Sequence, residues 1–258
     1  MITRKNAFDK SESKAHKLYI DAVNGLIKSG VYTKYVNWHA QMDKFRMHAM
    51  GYQGRVGMWR FLAWHRIYLV RFEQELRKVK PGAYIPYWKW VDGGVPDWMK
   101  SFMPAVPNIK EPGSAAKTVT VKRNNIAAAF VTQKKIDQIL SKTKFSDFSL
   151  ELEQGPHNQG HRDLGVMSGG LGPMATAISP ADPMFWLHHA NVDRIWALWQ
   201  AKHPISPANP HHSPDIPEIG ATAKEKKKFE KTWEMLEPFK VHIDKVAVPT
   251  NTLGYKYV

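Results

Sequence analysis

The chain contains one segment, DPMFWLHHANVDRIWALWQ at residues 182–200, that combines a helical apolar pattern with two adjacent histidines. Pro183 comes before a dense run of aromatic and aliphatic residues, which predicts a buried helix over residues 185–202. His188 and His189 are neighbours in that helix, so their side chains point about 100° apart. At most one of the two is therefore expected to bind the same metal ion as histidines from another helix.

A second pair of histidines lies upstream, in the sequence HNQGH at residues 157–161. Positions i and i+4 share one face of a helix, about 5–6 Å apart at Cβ, so His157 and His161 can reach one ion. A short helix is predicted over residues 151–161, interrupted at its Gly-Pro step. Three imidazoles from two helices would leave an open coordination position, which a catalytic metal requires. Imidazole suits copper, zinc, iron or nickel, so ligand type alone leaves the ion open.

Two further histidines, His39 and His65, stand among bulky aromatic residues in the N-terminal half. Apolar periodicity predicts helices over residues 15–27, 32–42 and 58–79, which place both histidines in buried positions. A buried histidine is often satisfied by a backbone carbonyl, and that interpretation stands beside metal binding for each of the two. Several buried histidines in a chain without cysteine favour metal binding for the set.

The composition restricts the chemistry of such a site. The 258 residues include 12 histidines and no cysteine, which excludes disulfides, thiolate metal sites and a thiol nucleophile. Neither an HExxH zinc motif nor the paired Glu-x-x-His motifs of di-iron bundles are present. An all-imidazole site with few carboxylates points to copper.

The net charge of +14 raises the alternative of a basic, helical nucleic-acid-binding protein. The positive residues are spread along the chain, and the one dense run, KEKKK at residues 224–228, is typical of a solvated helix face. We therefore expect no nucleic-acid partner. No apolar run approaches the ~20 residues of a membrane helix, and no export signal is visible at the N-terminus. The compartment stays open between the cytoplasm and export by a signal or partner outside this chain.

The remaining pattern predicts one mostly helical domain over residues 1–258, without an alternating strand series. Further helices are predicted over residues 124–140 and 224–236, with loops at 84–112 and 204–217. The histidines outside the motifs are interpreted as ordinary surface or loop residues: His16, His203, His211, His212 and His242.

The histidine motifs resemble those of the type-3 copper proteins, and within them the compact bacterial tyrosinases. The resemblance extends to FLAWHRIYLVRFE at 61–73, IPYWKW at 85–90 and LGYKY at 253–257. It implies a mainly α fold, with a four-helix core around a dinuclear copper site and long ordered loops. It also implies that O2 is a co-substrate and that the chain is a single catalytic domain without a lid domain.

For the second copper ion, the resemblance implies three ligands, His157, His161 and His189. His188 becomes a neighbouring residue that does not bind the ion. Asp193 becomes an acceptor for an imidazole N–H, which would orient a ligand ring.

For the first copper ion, the resemblance implies His39 and His65, and the sequence departs from the family at the third ligand. That histidine lies nine residues before the position of His65, where this chain has Val56. His48, in FRMHAMGYQGRVGMW, is the nearest available histidine, and a loop can be re-routed to supply it. We expect His48 to complete the first site; without it, the first copper would be weakly held.

Four further residues take roles by the same resemblance, and Arg162 takes one from its charge and its position after His161. Glu153 and Asn158 hold a water that takes the phenol proton, an arrangement suited to general-base catalysis. From the residues alone, Glu153 is interpreted as a solvated carboxylate on a helix face. Arg162 is expected to steer a substrate carboxylate or to form a surface ion pair. Phe185 is expected to stack over the site, and Met174 belongs to the loop GGLGPMAT at the substrate entrance.

The implied function is that of a tyrosinase, with copper- and O2-dependent hydroxylation of monophenols and oxidation of o-diphenols to o-quinones. One alternative is a catechol oxidase or o-aminophenol oxidase with little monophenol activity. Another is a haemocyanin-like oxygen carrier, against which the short chain argues. Small phenols are the expected substrates, and no membrane partner is expected. A copper chaperone and a homodimer are both compatible with the resemblance.

Overall fold

The computed structural model describes residues 1–48, 54–204, 222–224, 227 and 233–258, with only the backbone of residues 54–58. Helices dominate this part of the chain, which confirms the predicted mainly α fold. The α-helices are α1 Ser13–Lys28, α2 Val31–His39, α3 Met42–Phe45, α4 Gly54–Val79, α5 Asp97–Lys100, α6 Gln133–Leu140, α7 Phe145–Leu152, α8 Asn158–Gly165 and α9 Met184–Lys202. A π-helical turn, Glu153–His157, joins α7 to α8. Short 3-10 turns occur at Lys10–Glu12, Pro173–Ala175, Ser179–Ala181, Ile243–Lys245 and Thr250–Leu253.

Short strands border the helices and form two-stranded sheets. They are β1 Ile2–Arg4, β2 Ala105–Ile109, β3 Lys117–Thr120, β4 Val166–Met167, β5 Gly170–Leu171, β6 Met235–Leu236, β7 Val241–His242 and β8 Tyr255–Tyr257. β1 pairs in parallel with β8, whereas β2 with β3, β4 with β5, and β6 with β7 are antiparallel. The β1–β8 pair joins the two ends of the chain.

The longest helix, α4, lies at the centre of the core. It packs against α1, α7 and α9, so elements from both halves of the sequence meet on it. Phe72 of α4 stacks on Trp186 of α9, with 3.5 Å between ring centroids and 6° between ring planes. Both side chains are fully buried, and the contact holds α4 against α9. These two helices also carry histidines, so their packing sets the distance between the histidine side chains.

A buried ionic network ties both chain ends to this core. Arg4 of β1 donates two hydrogen bonds to Glu73 of α4, at 3.0 and 3.1 Å. Asp193 of α9 accepts from Arg66 Nε at 2.5 Å, and from both tyrosine hydroxyls of β8 at 2.6 Å each. Because buried charges are tolerated only when paired and hydrogen-bonded, the network fixes β1 and β8 on the helices.

Two predicted helices differ from the structure. α6 begins only at Gln133, whereas the sequence predicted a helix from residue 124. The Asn124 N–H donates to a backbone oxygen at the end of α8, at 2.8 Å, and Thr132 caps the start of α6. The preceding segment therefore satisfies its backbone outside a helix. Of the predicted helix at 224–236, the last two residues form β6, and most of the others lie outside the described residues.

The structure also bears on predictions about histidines outside the motifs and about membrane helices. His16 is 6% exposed and stacks on Trp98 at 4.3 Å between ring centroids, so its interpretation as a surface residue was wrong. His211 and His212 lie outside the described residues. Within the described ranges, no helix is long and apolar enough to cross a membrane.

Candidate metal centre

Three histidines from the N-terminal half converge on one point. His39 is the last residue of α2, His65 lies within α4, and His48 follows α3. Arg46 ends α3 in the left-handed region, at φ 52°, which turns the chain away from the helix axis. One ring nitrogen of each histidine lies within 4.8 Å of the other two. The structure therefore places His48 beside the two buried histidines; the side chain of Val56 lies outside the described residues.

Each of these three rings is oriented by a hydrogen bond from Nδ1. The Nδ1–H groups donate to oxygens: His39 to Ala177 O at 2.8 Å, His65 to Phe61 O at 2.8 Å, and His48 to Glu153 Oε1 at 3.1 Å. Because all three acceptors are carbonyl or carboxylate oxygens, the proton lies on Nδ1 and the lone pair on Nε2. The three lone pairs are therefore available to one cation.

A second histidine group comes from the C-terminal half. The π-helical turn ends at His157, α8 carries His161, and α9 supplies His188 and His189. Gly155 leaves the helical region within the turn, at φ −90° and ψ −109°, so the helix is interrupted where the sequence predicted it. One ring nitrogen of each histidine lies within 4.8 Å of the others. The tertiary structure thus brings the two histidine motifs together.

Two rings of the second group have the same proton arrangement as the rings of the first. Its Nδ1–H donors are His157, to Glu153 O at 3.1 Å and Asn158 Oδ1 at 3.0 Å, and His161, to Met174 O at 2.7 Å. His161 Nε2 lies 3.3 Å from His189 Nε2. Because the Nδ1–H of His161 is donated to Met174 O, its Nε2 lone pair faces His189 and is available to a cation.

The two histidine groups adjoin each other and form one centre. His65 of the first group stacks on His189 of the second, with 4.3 Å between ring centroids and 13° between ring planes. His48 and His157 are also stacked, at 5.7 Å. A metal ion in each group would therefore be one member of a pair.

Burial keeps these imidazoles neutral. Loss of solvent lowers the pKa of four rings well below the ordinary histidine value: His39, His65, His157 and His189. The same cause lowers the pKa of His161 to about 4. Neutral imidazole is the form that binds a metal, so the histidines are ready to act as ligands at neutral pH.

Buried ring nitrogens without a hydrogen-bond partner indicate whether a metal ion fits the histidine groups. Among the described residues, the buried Nε2 atoms of four of these rings have no hydrogen-bond partner: His39, His48, His65 and His157. An unsatisfied buried polar atom costs about 1–3 kcal/mol, so four in one place call for a common ligand. With only imidazole nitrogens directed at the centre, the donor set fits copper better than magnesium or calcium.

His188 is a fourth imidazole of the second group. It is fully buried, its ring lies 5.1 Å from that of Trp90, and it packs against Gly160, where an added Cβ would lie 2.9 Å from His188 Nδ1. The expectation that His188 stands beside the ion without binding it stays a prediction.

Glu153 occupies a position that the sequence did not indicate. Its side chain is 3% exposed, so the interpretation as a solvated carboxylate was wrong. Oε1 of Glu153 accepts a hydrogen bond from His48 Nδ1. Glu153 belongs to the turn that ends at His157, so this bond connects the second histidine group to the first. Asn158 is exposed, and its Oδ1 accepts from His157. Both side chains predicted to hold a water are thus hydrogen-bonded to histidines of the centre.

A cavity of about 430 Å³ opens onto the centre. Two of the predicted substrate residues line it, the exposed Arg162 and the buried Met174, whose carbonyl orients His161. Sequence reasoning missed two apolar side chains at this cavity, Met42 and Val166, whereas Leu171 belongs to the predicted entrance loop. Val166 and Leu171 face each other across the β4–β5 hairpin and are 48% and 65% exposed. The short hairpin after α8 was the one available signal, through its glycine pair.

Two site predictions are corrected by the structure. Phe185 is fully buried and does not line the cavity; it packs between His39 and His189, at centroid distances of 5.0 and 4.1 Å. It therefore supports the ligand rings rather than contacting a substrate. The Asp193 carboxylate accepts from two arginines and two tyrosines, and among the described residues it accepts from no imidazole, because the terminal network surrounds it.

Comparison with known proteins identifies this arrangement. The family described as the common central domain of tyrosinase matches residues 29–115 and 104–202, which contain all the histidines of both groups. The chain belongs to the tyrosinase family. Members of this family hold two copper ions and use O2, so the chain is a copper oxidoreductase with a dinuclear centre.

Individual relatives show how far the similarity reaches. A tyrosinase from Streptomyces galbus is 30% identical over 258 aligned residues, which cover 87% of this chain and 92% of that protein. Units G and H of a haemocyanin from Sepia officinalis are 32% identical over 56% of this chain and 27% of that protein. The solved tyrosinase from Burkholderia thailandensis has a TM-score of 0.65 at 16% identity, covering 100% of this chain and 73% of that one. Tyrosinase-family folds thus extend over the whole described molecule.

Proposed function

We propose that this tyrosinase-family chain, as a single catalytic domain, hydroxylates monophenols and oxidises the product o-diphenols to o-quinones. In the overall reaction one atom of O2 enters the phenol ring and the other leaves as water. The observation that carries the proposal is the convergence of two groups of imidazoles, beside a buried carboxylate, at the end of an open cavity.

The metal ligands are proposed in two sets. His39, His48 and His65 would hold the first copper, and His157, His161 and His189 the second. When bound, the copper pair supplies the electron transfer that lets O2 react with a phenol. The unpartnered Nε2 atoms and the lowered pKa values of the buried rings support these sets.

Two polar side chains are proposed to act on the substrate. Glu153 would accept the phenol proton, directly or through a water, since its buried carboxylate contacts His48 of the first histidine group. Arg162 lines the cavity mouth with a side chain 65% exposed, where it would attract a substrate carboxylate. The negative charge of Glu153 would thus lie near the phenol hydroxyl, and the positive charge of Arg162 near a substrate carboxylate.

A second candidate is favoured by one contact. Because Glu153 Oε1 already accepts from His48, the carboxylate has less capacity to take a phenol proton. A catechol oxidase, or an o-aminophenol oxidase, with little monophenol activity follows if this hydrogen bond persists during turnover. An oxygen carrier is disfavoured by the open cavity, because a carrier must exclude phenols from its centre.

The deciding experiment measures copper per chain and O2 uptake on a monophenol and on a catechol. We expect two coppers and uptake on both substrates. His48→Ala should reduce the copper content to one per chain and abolish uptake on both, whereas the control His242→Ala, on β7 away from the cavity, should change neither. Uptake on catechol alone supports the second candidate. Two coppers retained in His48→Ala would contradict the proposed ligand sets.

A further inference from the structure

A second cavity adjoins the one that opens onto the metal centre. Its volume is about 470 Å³, and Leu171 and Thr176 line both cavities, so the two cavities adjoin at these residues. One wall is the segment from Leu171 to Ile178, and the other is strand β3. A molecule whose phenol occupies the first cavity can therefore continue into the second.

The second cavity meets the edge of β3. All four consecutive residues Lys117–Thr120 line it, and no residue of β2 does. Successive side chains of a strand point to opposite faces, so a space bordered by every residue lies against the strand's edge. In the described part of the chain β3 pairs with β2 alone, which leaves the backbone groups of its other edge available.

Backbone contacts fix the opposite wall of the cavity. The N–H of Gly172 donates to Gly165 O at 2.7 Å, which holds the wall against α8. A Cβ added at Gly172 would overlap the backbone oxygen of Lys122. The backbones of the two walls thus touch at one end of the cavity, and the cavity cannot close or widen there without moving both.

The polar groups of the second cavity are mainly cationic and hydroxylic. Lys122 and Lys117 line it with the hydroxyls of Thr118 and Thr120, and Glu111 is paired with Lys117 at 2.8 Å. Lys122 is exposed, and among the described residues no acidic side chain pairs with it. With Arg162 at the first cavity and a net charge of +14, the whole surface favours an acidic ligand.

We propose that the second cavity binds the polypeptide that flanks a tyrosine, as an extended acidic segment that adds a strand to β3. Its tyrosine side chain enters the first cavity while its carboxylates face Lys122 and Arg162. Backbone hydrogen bonds along the β3 edge provide affinity, and the cations select the sequence. The proposal rests on the proposed function and names the substrate class of the same centre as tyrosine within an acidic peptide.

Binding is tested first without turnover. A labelled acidic peptide with phenylalanine in place of tyrosine is titrated against the copper-free protein by fluorescence anisotropy. We expect saturable binding whose affinity decreases with added salt. The affinity should fall by about fivefold or more in Lys122→Glu and stay unchanged in Lys14→Glu, which alters an exposed lysine of α1. Methylation of two alternate backbone nitrogens of the peptide should weaken binding about tenfold. Equal binding of the methylated peptide overturns strand addition.

Turnover then separates this proposal from the function on which it rests. We expect the copper-loaded protein to oxidise the tyrosine peptide with a KM about tenfold below that of an uncharged peptide of equal length. Lys122→Glu should remove that difference and leave the KM for a free monophenol within about twofold. If the protein oxidises neither catechol nor the peptide, the proposed function is overturned. Oxidation of free phenols with equal KM values for the two peptides overturns the acidic-peptide site alone.

Discussion

At the scale of single residues, Glu153 joins the two histidine groups. It belongs to the turn that ends at His157, and its carboxylate accepts from His48. A carboxylate in this position both fixes the proton on Nδ1 of the re-routed histidine and lies where a phenol proton can be taken up. The two roles differ in what they demand of the side chain, because a hydrogen-bond acceptor need not be a base.

Substituting Glu153 separates these roles. Glu153→Gln keeps an amide oxygen that can accept from His48 Nδ1, so we expect two coppers and near-normal catechol oxidation. The monophenol kcat/KM should fall by about 10²–10⁴, because an amide cannot take a proton. Glu153→Ala should also lower the copper content. The measurements are copper per chain and O2 uptake on both substrates. Full monophenol activity in Glu153→Gln would show that the residue only positions His48.

At the scale of elements, the approach of α8 to α9 depends on a glycine. An added Cβ at Gly160 would overlap His188 Cε1 and lie 3.1 Å from Phe130. A Cβ added at Gly169, in the β4–β5 turn, would have no other atom within 4 Å. Three of the four histidines of the second group come from these two helices, so a small change in the helix separation alters the second metal site.

Gly160→Ala should therefore destabilise the protein by about 1–3 kcal/mol, even though alanine is the better helix former. We expect the second copper to bind more weakly as well, because α8 carries His161 and α9 carries His189. Thermal unfolding of the copper-free protein and a copper titration report the two effects. Gly169→Ala is the matched control and should leave both unchanged; a similar loss there would disprove the packing explanation.

At the scale of the whole molecule, the buried network of Asp193 connects the chain ends to α4 and α9. Asp193→Asn leaves the buried charges of Arg4 and Arg66 without their common partner. We expect a loss of about 3–5 kcal/mol in the free energy of unfolding, measured by denaturant titration. The control Lys100→Ala breaks the exposed pair with Asp97 and should leave the free energy of unfolding nearly unchanged. Equal effects of the two substitutions would contradict the role assigned to the network.

The histidine centre makes the copper-free molecule sensitive to acid. The folded-state pKa of its buried histidines lies below the unfolded value, so the unfolded chain binds more protons below pH about 6.5. Stability should fall as the pH decreases, by about 1.4 kcal/mol per such histidine for each pH unit, down to the folded pKa, which is about 4 for His161. Melting temperatures from pH 7.5 to 5 test this; copper-loaded protein should resist until the metal dissociates. An unchanged melting temperature in the copper-free protein would contradict the buried neutral state.

Spacing and chemistry along the chain were sufficient for a large part of this description. Periodicity predicted α1, α4 and α9, and the i, i+4 spacing of His157 and His161 predicted a shared ion. The absence of cysteine and the number of histidines indicated copper before any fold was known. These features are local: helical periodicity, ligand spacing and donor type are properties of short segments, which the sequence states directly.

Other features depended on contacts between distant segments. Glu153 and His48 are 105 residues apart, and no local pattern predicts that they share a hydrogen bond. Asp193 faces the terminal network instead of an imidazole because two arginines and two tyrosines from remote segments surround it. The second cavity arises between β3 and the segment after β5. Packing of distant elements creates each of these features, so only the tertiary structure decides which partner a buried polar group obtains.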